Sequence, residues 1–161
     1  MKNKKTALLL AVCLSLGTLA GCSTEEINNY RQAELDLADG NFQTALEEYE
    51  TAVSDGIKVA ESYRGAGVAN VRLGNYEAAI EDFTQALNCE KVGKALKKDI
   101  LSYRAAAYLK TKSYEEALTD CQALAEGYDM DADLYFLSGE VALAMDSYEE
   151  AASYFEQAYG E

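Results

Sequence analysis

The sequence contains no histidine and no proline among its 161 residues. Without histidine, the chain lacks the side chain that most often serves as general base at neutral pH and as ligand for transition metals. It also lacks a glycine-rich phosphate loop and a serine set in a nucleophile elbow. Without proline, no residue interrupts a helix by clashing with the preceding turn. These absences argue against an enzyme and against a bound cofactor or metal, and they favour uninterrupted helices.

Basic residues are scarce as well. Lysine and arginine together number 14, against 28 aspartates and glutamates, which gives a net charge of −14. Lys2, Lys4 and Lys5 lie in an N-terminal segment that we expect to be removed, so the mature chain is still more acidic. Nucleic acids and anionic lipids are bound through lysine and arginine clusters. We therefore expect no nucleic-acid partner, and the acidic residues either form solvated helix faces or attract a basic partner.

A mostly apolar run, from Ala7 to Ala20, follows these three lysines. It has the length of the apolar part of a secretory signal and is too short to span a bilayer as a mature helix. It ends in Leu19-Ala20-Gly21-Cys22, which closely resembles the lipobox of bacterial lipoproteins. The resemblance implies a lipoprotein signal peptide over residues 1–21, cleaved before Cys22, whose sulfur receives a diacylglycerol.

A lipidated Cys22 and a short tether would occupy residues 22–28. The tether reaches roughly 20 Å at most, so the rest of the protein would work close to a membrane. In a bacterium with one membrane, the resemblance implies anchoring to the outer face of the cytoplasmic membrane. In a bacterium with two membranes, Ser23 after the cysteine implies the outer membrane, on its periplasmic side.

A similar segment recurs four times in the remaining chain, and each copy begins with an aromatic residue. The aromatics stand at positions 42, 76, 114 and 148, so the spacings are 34, 38 and 34 residues. A period of this size indicates a helical solenoid. Asparagine or serine precedes each aromatic, as expected of an N-cap, and Ser113 with Glu116 matches a capping box. Together with apolar residues at helical spacing, these signals predict eight helices at about 27–38, 42–54, 58–72, 76–88, 96–110, 114–126, 132–145 and 148–159.

Small residues recur at three positions of every copy, with one leucine as the exception. This pattern and the period resemble the tetratricopeptide repeat, a helix–turn–helix unit. The resemblance implies an all-α fold, a right-handed α-solenoid over residues 29–161 with repeats at about 26–59, 60–93, 98–131 and 132–161. The three positions hold Ala33, Gly67, Ala105 and Gly139; Ala45, Ala79, Ala117 and Ala151; and Ala52, Ala86, Leu124 and Ala158.

In that family, the first helices of the repeats line a concave groove that binds peptides or helices of partner proteins. The resemblance therefore implies a membrane-anchored adaptor or scaffold with a protein or peptide partner. Alternatively, several of the aromatic residues in these helices belong to the core, Tyr103 above all. One subclass grips a C-terminal carboxylate, but its residue set is broken here because Val68 stands where asparagine is required. The implied groove residues are Tyr30, Arg31, Glu34, Arg64, Gly65, Val68, Ser102, Tyr103, Ala106, Phe136, Leu137 and Glu140.

Self-assembly is the alternative function. No capping helix follows the fourth repeat in this sequence, and solenoids need polar caps at their ends. We therefore expect either a polar outer face there or a homo-oligomer formed through the C-terminal repeat. An enzymatic or substrate-capturing role is the weakest interpretation, because paired carboxylates such as Glu47 and Glu48 fall on solvent faces of helices.

Four residues are inserted between the second and third repeats, within the stretch Cys89 to Asp99, which carries a cluster of lysines. The stretch is either a longer loop or helical turn, or a contact site for an acidic group. Cys89 itself either stays free or forms a disulfide with Cys121, which occupies a core position. A catalytic thiol is excluded because the chain has no histidine to act as its base. The lysines are Lys91, Lys94, Lys97 and Lys98.

Overall fold

The computed structural model describes residues 29–160, which form helices and no strand. The predicted all-α fold is confirmed, and the predicted helix boundaries agree to within about two residues, the usual uncertainty of helix ends. The signal peptide, Cys22 and the tether lie outside the described residues. The helices are α1 (29–39), α2 (Phe42–Ser54), α3 (Val59–Leu73), α4 (Tyr76–Asn88), α5 (Lys94–Thr111), α6 (Tyr114–Gly127), α7 (Ala132–Ala144) and α8 (Tyr148–Gly160).

The helices form four hairpins, α1–α2, α3–α4, α5–α6 and α7–α8, which stack in chain order. The turn inside each hairpin contains one residue in the left-handed region. In the first two hairpins this residue is Gly40 (φ 86°) or Gly74 (φ 83°), and in the last two it is Lys112 (φ 63°) or Asp146 (φ 60°). Glycine adopts this conformation without steric cost, whereas other residues lose about 1 kcal/mol or more. The same turn is therefore more strained in the third and fourth repeats.

The small residues form the seams along which the hairpins close. All of the predicted small positions are buried except Ala158, in the last helix, which is half-buried. Glycine is required where an aromatic ring lies directly against the backbone. A Cβ on Gly67 would stand 2.6 Å from the Phe83 ring, and a Cβ on Gly139 would stand 2.6 Å from the Phe155 ring. The predicted role of these positions in close helix packing is confirmed.

Side-chain size is balanced where one hairpin meets the next. Tyr49 of α2 lies against Gly65 of α3, and a Cβ on that glycine would overlap the tyrosine ring. Cys121 of α6, at the position equivalent to Tyr49, instead packs in one cluster with Leu137 of α7. A large residue thus faces a small one at both junctions. Because protein interiors are close-packed, the two members of each pair limit each other's volume.

The predicted N-caps occupy the right positions but do not cap with their side chains. Asn41, Asn75 and Ser113 have ψ of 57°, 65° and 68°, and none of their side chains accepts a hydrogen bond from the first turn. Capping normally requires an extended N-cap residue, as at Asp131, where ψ is 175° and the carboxylate accepts from the Leu134 N–H. The predicted capping box at Ser113 is therefore wrong. The side chains of the two asparagines instead donate hydrogen bonds to side chains of the preceding helix, as in the 2.8 Å bond from Asn41 to Asp36.

Candidate functional site

A groove runs between α5 and α7, the first helices of the third and fourth repeats. Its volume is about 590 Å³, within the range of pockets that enclose ligands. We call it the α5–α7 groove. It combines an apolar floor with charged residues. It brings together six of the predicted groove residues, which are Ser102, Tyr103, Ala106, Phe136, Leu137 and Glu140. Its lining residues are Ala95, Lys98, Asp99, Ser102, Tyr103, Ala106, Asp131, Asp133, Leu134, Phe136, Leu137 and Glu140.

Tyr103 is fixed from two sides. Its ring stacks on the fully buried Phe83 at a centroid distance of 5.9 Å. The Arg64 guanidinium lies 5.4 Å from the same ring, within the range of a cation–π interaction. Arg64 Nε also donates a 2.6 Å hydrogen bond to Asp99 of α5. The predicted groove residue Arg64 therefore acts mainly by joining α3 to α5 and by holding Tyr103 in place.

Phe136 is the large apolar side chain that the groove leaves open. It is 42% exposed, and its ring lies 5.4 Å from that of Phe155 in α8. Glu140 follows it on the same face of α7 and is exposed. Aromatic side chains in partly desolvated pockets supply much of the energy of protein recognition. Phe136 thus has the exposed apolar surface that such recognition requires.

The inserted lysine stretch extends α5 by a helical turn, as one of the sequence alternatives predicted. Lys98 Nζ donates a 2.8 Å hydrogen bond to Asp131, and Lys94 lies 5.2 Å from the Tyr128 ring. Hydrogen bonds from Lys98 and from the Leu134 N–H lower the pKa of Asp131. Both lysines therefore bind the loop that leads into α7 within the same chain.

The other end of the solenoid has a smaller pocket of about 370 Å³. Tyr30 is only 6% exposed there, its hydroxyl donates to Glu34 at 3.0 Å, and the Lys58 ammonium lies 4.3 Å from its ring. Burial, and then the hydrogen bond to Glu34, raise the pKa of Tyr30. Arg31 and Glu34 are exposed. The predicted residues of the first repeat therefore surround this separate pocket, far along the chain from the α5–α7 groove.

Val68 was predicted to line the groove, and the structure places it in the core. It is 5% exposed and packs in one cluster with Phe83 and Ile100. Gly65 is buried beneath Tyr49. The reason is the tight stacking of α3 between its neighbours, which turns two of the three expected positions inward and leaves Arg64 alone at the surface.

A set of polar groups inside the hairpins was not predicted. Arg104 of α5 makes two hydrogen bonds, of 2.7 and 2.8 Å, with the buried Asp120 of α6. Burial lowers the pKa of Arg104, but the hydrogen bond and charge of Asp120 outweigh that effect and hold it above its ordinary value. In the second hairpin, Asn70 donates a 2.8 Å hydrogen bond to Asp82. Asp82 and Asp120 are equivalent by the 38-residue spacing.

These interior groups differ in how far hydrogen bonds or opposite charges offset the unfavourable effect of burial. Burial raises the pKa of Asp82 to about 6, and the hydrogen bond from Asn70 offsets only part of that rise. Glu48 in the first hairpin was expected on a solvent face but is half-buried, and burial and the charge of Asp36 raise its pKa. A sequence signal existed, since polar residues replace the usual apolar ones at Asp36 and Asn70. Their partners could not be identified without the helix orientations.

Four charged residues of the α5–α7 groove were not assigned to it from the sequence, although Lys98 was named in the lysine stretch as part of a candidate contact site: Lys98, Asp99, Asp131 and Asp133. Helical spacing from Phe136 could have located Asp133, because residues three apart share a helix face. The other three depend on the extra turn of α5 and on the loop before α7. These three residues line the end of the groove that lies near the N-terminal ends of α5 and α7.

Within residues 29–160, no group of three metal-binding side chains lies close enough to hold an ion. The same range contains no helix with the length and apolar character needed to cross a membrane. Cys89 and Cys121 are both free thiols, which selects the free-thiol alternative for this pair. Burial raises the pKa of Cys121 to about 11, so the thiol is protonated at neutral pH.

Two curated relatives share part of the sequence. The chain is 26% identical over 135 residues to a DnaJ homolog subfamily C member 7 homolog of Dictyostelium discoideum, covering 80% of this chain and 25% of that protein. It is 32% identical over 90 residues to tetratricopeptide repeat protein 12 of Homo sapiens, covering 56% of this chain and 12% of that protein. The chain thus spans a quarter or less of the length of these relatives.

Solved structures of MamA have the same fold. One MamA crystal structure superposes with a TM-score of 0.70 at 17% identity, covering 89% of this chain and 82% of MamA. MamA from Desulfovibrio magneticus RS-1, from residue 41 to its end, gives a TM-score of 0.72 at 23% identity, with coverage of 84% and 75%. A family model of the tetratricopeptide repeat matches residues 30–94 and 104–161. The chain therefore belongs to the tetratricopeptide repeat family.

Proposed function

We propose that this protein is a lipid-anchored adaptor of the bacterial cell envelope that binds a partner protein or peptide in its concave groove. The observation that carries this proposal is the α5–α7 groove, in which Tyr103 is fixed by Phe83 and Phe136 remains 42% exposed. A rigid floor with an open aromatic anchor suits an extended or helical segment. The chain's lack of histidine argues in the same direction, for binding rather than catalysis.

The anchor is proposed from the Leu19-Ala20-Gly21-Cys22 motif alone. The protein would be exported and held on the outer face of the cytoplasmic membrane, or on the periplasmic side of the outer membrane where there are two. We expect Cys22→Ala to release the protein from membranes into the soluble fraction. Membrane association that persists in this variant would remove lipidation as the tether.

The groove is tested by crosslinking in the native cell, followed by identification of the attached protein. We expect Arg64→Glu together with Phe136→Ala to abolish capture of that protein, because the pair removes both the support of Tyr103 and the open anchor. Circular dichroism must show unchanged helix content. A control matched in charge is Arg72→Glu, which makes the same charge reversal at an exposed site outside the α5–α7 groove. Undiminished capture by the groove variant would move the site to the convex surface.

Self-assembly through the C-terminal repeat is the second candidate, and one observation favours it. Phe155 is half-buried, whereas its counterparts Tyr49, Phe83 and Cys121 are 2%, 0% and 5% exposed. In the inner repeats the following hairpin covers this position, and among the described residues no following hairpin covers it in the fourth. Tyr159, nearby in α8, is 81% exposed. A dimer of the chain that is lost in Tyr159→Glu would support this candidate, and a monomer at every concentration would remove it.

A further inference from the structure

We propose that the α5–α7 groove selects a positively charged, amphipathic peptide segment. In this complex, an apolar side chain lies beside Tyr103 and Phe136, and lysine or arginine residues on either side face Asp133 and Glu140. The inference rests on the proposed function and specifies the chemistry of the partner that the groove accepts.

The charged side chains of the groove are only partly paired within the chain. Five charged side chains line the groove, and three of them are engaged within the chain. Lys98 pairs with Asp131 at 2.8 Å, and Asp99 pairs with Arg64 at 2.6 Å.

The other two, Asp133 and Glu140, are exposed and form no ion pair with any residue of 29–160. The charges that the groove offers to a ligand are therefore both negative.

These two carboxylates flank Phe136, the exposed aromatic side chain of the groove. Asp133 precedes Phe136 by three residues and Glu140 follows it by four, so all three lie on one face of α7. A segment that seats an apolar side chain beside Phe136 brings its flanking residues close to a carboxylate on each side. Basic flanking residues are attracted there, and acidic ones are repelled. An arginine could also stack on the exposed aromatic ring.

A second copy of this chain fits the groove less well than a basic peptide. The chain has a net charge of −14, so two copies repel each other at most orientations. Charge complementarity thus favours a separate, basic partner.

The test is a random peptide library on beads, probed with the whole chain purified from its native cell in detergent. We expect the enriched peptides to carry an apolar residue with lysine or arginine on both sides. The affinity of a consensus peptide is then measured by fluorescence anisotropy. Asp133→Asn with Glu140→Gln should weaken its binding about tenfold, equivalent to about 1.4 kcal/mol, and Phe136→Ala by a similar factor or more. The affinity should also fall with salt, less steeply in the neutralised variant.

The matched control is Glu81→Gln with Glu156→Gln, which removes the same net charge from exposed sites outside the groove. We expect it to change the affinity less than about twofold, because separated surface charges are screened. Equal weakening by the control would mean that the acidic surface attracts basic peptides in general, and would overturn the proposal. Circular dichroism of each variant excludes unfolding as the cause.

The remaining outcomes separate this inference from the proposed function. Neutral or acidic peptides that bind in a Phe136-dependent way would overturn the charge preference and leave the adaptor function standing. Absence of any Phe136-dependent peptide would overturn this inference, while crosslinking in the cell still decides the adaptor function with its native partner. Self-association of the wild-type chain that Asp133→Asn with Glu140→Gln abolishes would assign the groove to a second copy and would also overturn it.

Discussion

The first two repeats and the last two are built on the same hairpin, but they differ in the side chains packed between hairpins and in the size of the surface pocket. In the first two, the aromatic side chains Tyr49 and Phe83 are buried between hairpins, and the surface pocket at Tyr30 is small. In the last two, Cys121 replaces the aromatic ring and Phe155 is half-buried. The α5–α7 groove, at about 590 Å³ against 370 Å³, lies in this half.

The two halves also differ in how the carboxylates between their helices are paired. Asp82 in the second repeat is held by one neutral hydrogen-bond donor, whereas Asp120 in the third is paired with Arg104. A carboxylate in the interior needs a compensating charge or hydrogen bonds, since desolvation alone disfavours its ionised form. Equivalent positions in a repeat protein can thus contribute to stability with opposite signs, because each contribution depends on the neighbours that packing supplies.

The largest expected effect is that the same aspartate-to-asparagine substitution changes the free energy of unfolding in opposite directions at two equivalent positions. Asp120→Asn leaves the largely buried Arg104 without its charged partner and should lower the free energy of unfolding by about 3 kcal/mol. Asp82→Asn removes a desolvated charge and keeps an acceptor for Asn70, so it should raise that free energy by about 1 kcal/mol at pH 7.5. Urea unfolding of both variants measures the difference. Equal destabilisation by both would contradict our account of the two interiors.

The next largest effect comes from changing side-chain sizes where the first hairpin meets the second, so that they match those where the third meets the fourth. Gly65→Leu alone should lower the unfolding free energy by about 3 kcal/mol because the new side chain overlaps Tyr49. Tyr49→Cys alone should lower it by a similar amount through the cavity that it leaves. The double variant reproduces the arrangement of Cys121 and Leu137, and should recover about 2 kcal/mol relative to the sum. Strictly additive losses in a double-mutant cycle would refute the size balance.

The pH dependence of Asp82 gives a smaller effect. Its pKa in the folded state, about 6, lies above that of an unfolded aspartate, so between about pH 4 and 6 the folded state binds more protons. Stability from this group therefore increases as the pH falls through 6, and is lost as the pH rises. Partial exposure to solvent screens the shift, so we expect about 1 kcal/mol.

The measurement compares wild type with Asp82→Asn at pH 7.5 and pH 5. The advantage of the variant at the higher pH should shrink to about half at pH 5, the middle of the range in which the folded state binds more protons. The difference between the two proteins cancels the opposite contribution of carboxylates such as Asp131, whose pKa is lowered. A constant difference across this range would show that the buried carboxylate does not titrate there.

The smallest effect concerns the turns inside the hairpins. Lys112→Gly should raise the unfolding free energy by about 0.5–1 kcal/mol because glycine adopts the left-handed conformation without strain. Gly74→Lys, the reverse change at the equivalent turn of the second repeat, should lower it by a similar amount. Thermal unfolding monitored by circular dichroism would detect both shifts. A loss of stability in Lys112→Gly would mean that the lysine side chain contributes more than the turn conformation.

Several features of the fold could be predicted because they depend on short stretches of chain. The spacing of the leading aromatics identified four hairpins, and the recurrent small residues identified their seams, since helical periodicity is a local property. The capping box at Ser113 could not be judged in this way. It requires an extended N-cap residue, and the tight turn between packed helices imposes another conformation.

The site was only partly predictable for a similar reason. Tyr103, Phe136 and Glu140 lie together in the α5–α7 groove, and Tyr30, Arg31 and Glu34 surround a different pocket. Val68 belongs to the core. The position of a residue within a repeat gives its approximate direction, but its exposure depends on how closely the neighbouring helices approach.

The sequence by itself determined the helices, their pairing into repeats, the family and the acidic character of the chain, because these follow from local periodicity and composition. Only the tertiary structure decided which groove residues are exposed and which carboxylates are hydrogen-bonded or paired with a charge. It also decided where an aromatic ring occupies the space that a side chain on the facing helix would otherwise fill. The physical reason is that burial and electrostatic compensation belong to pairs of residues on different helices, and their distances are set only when the hairpins stack.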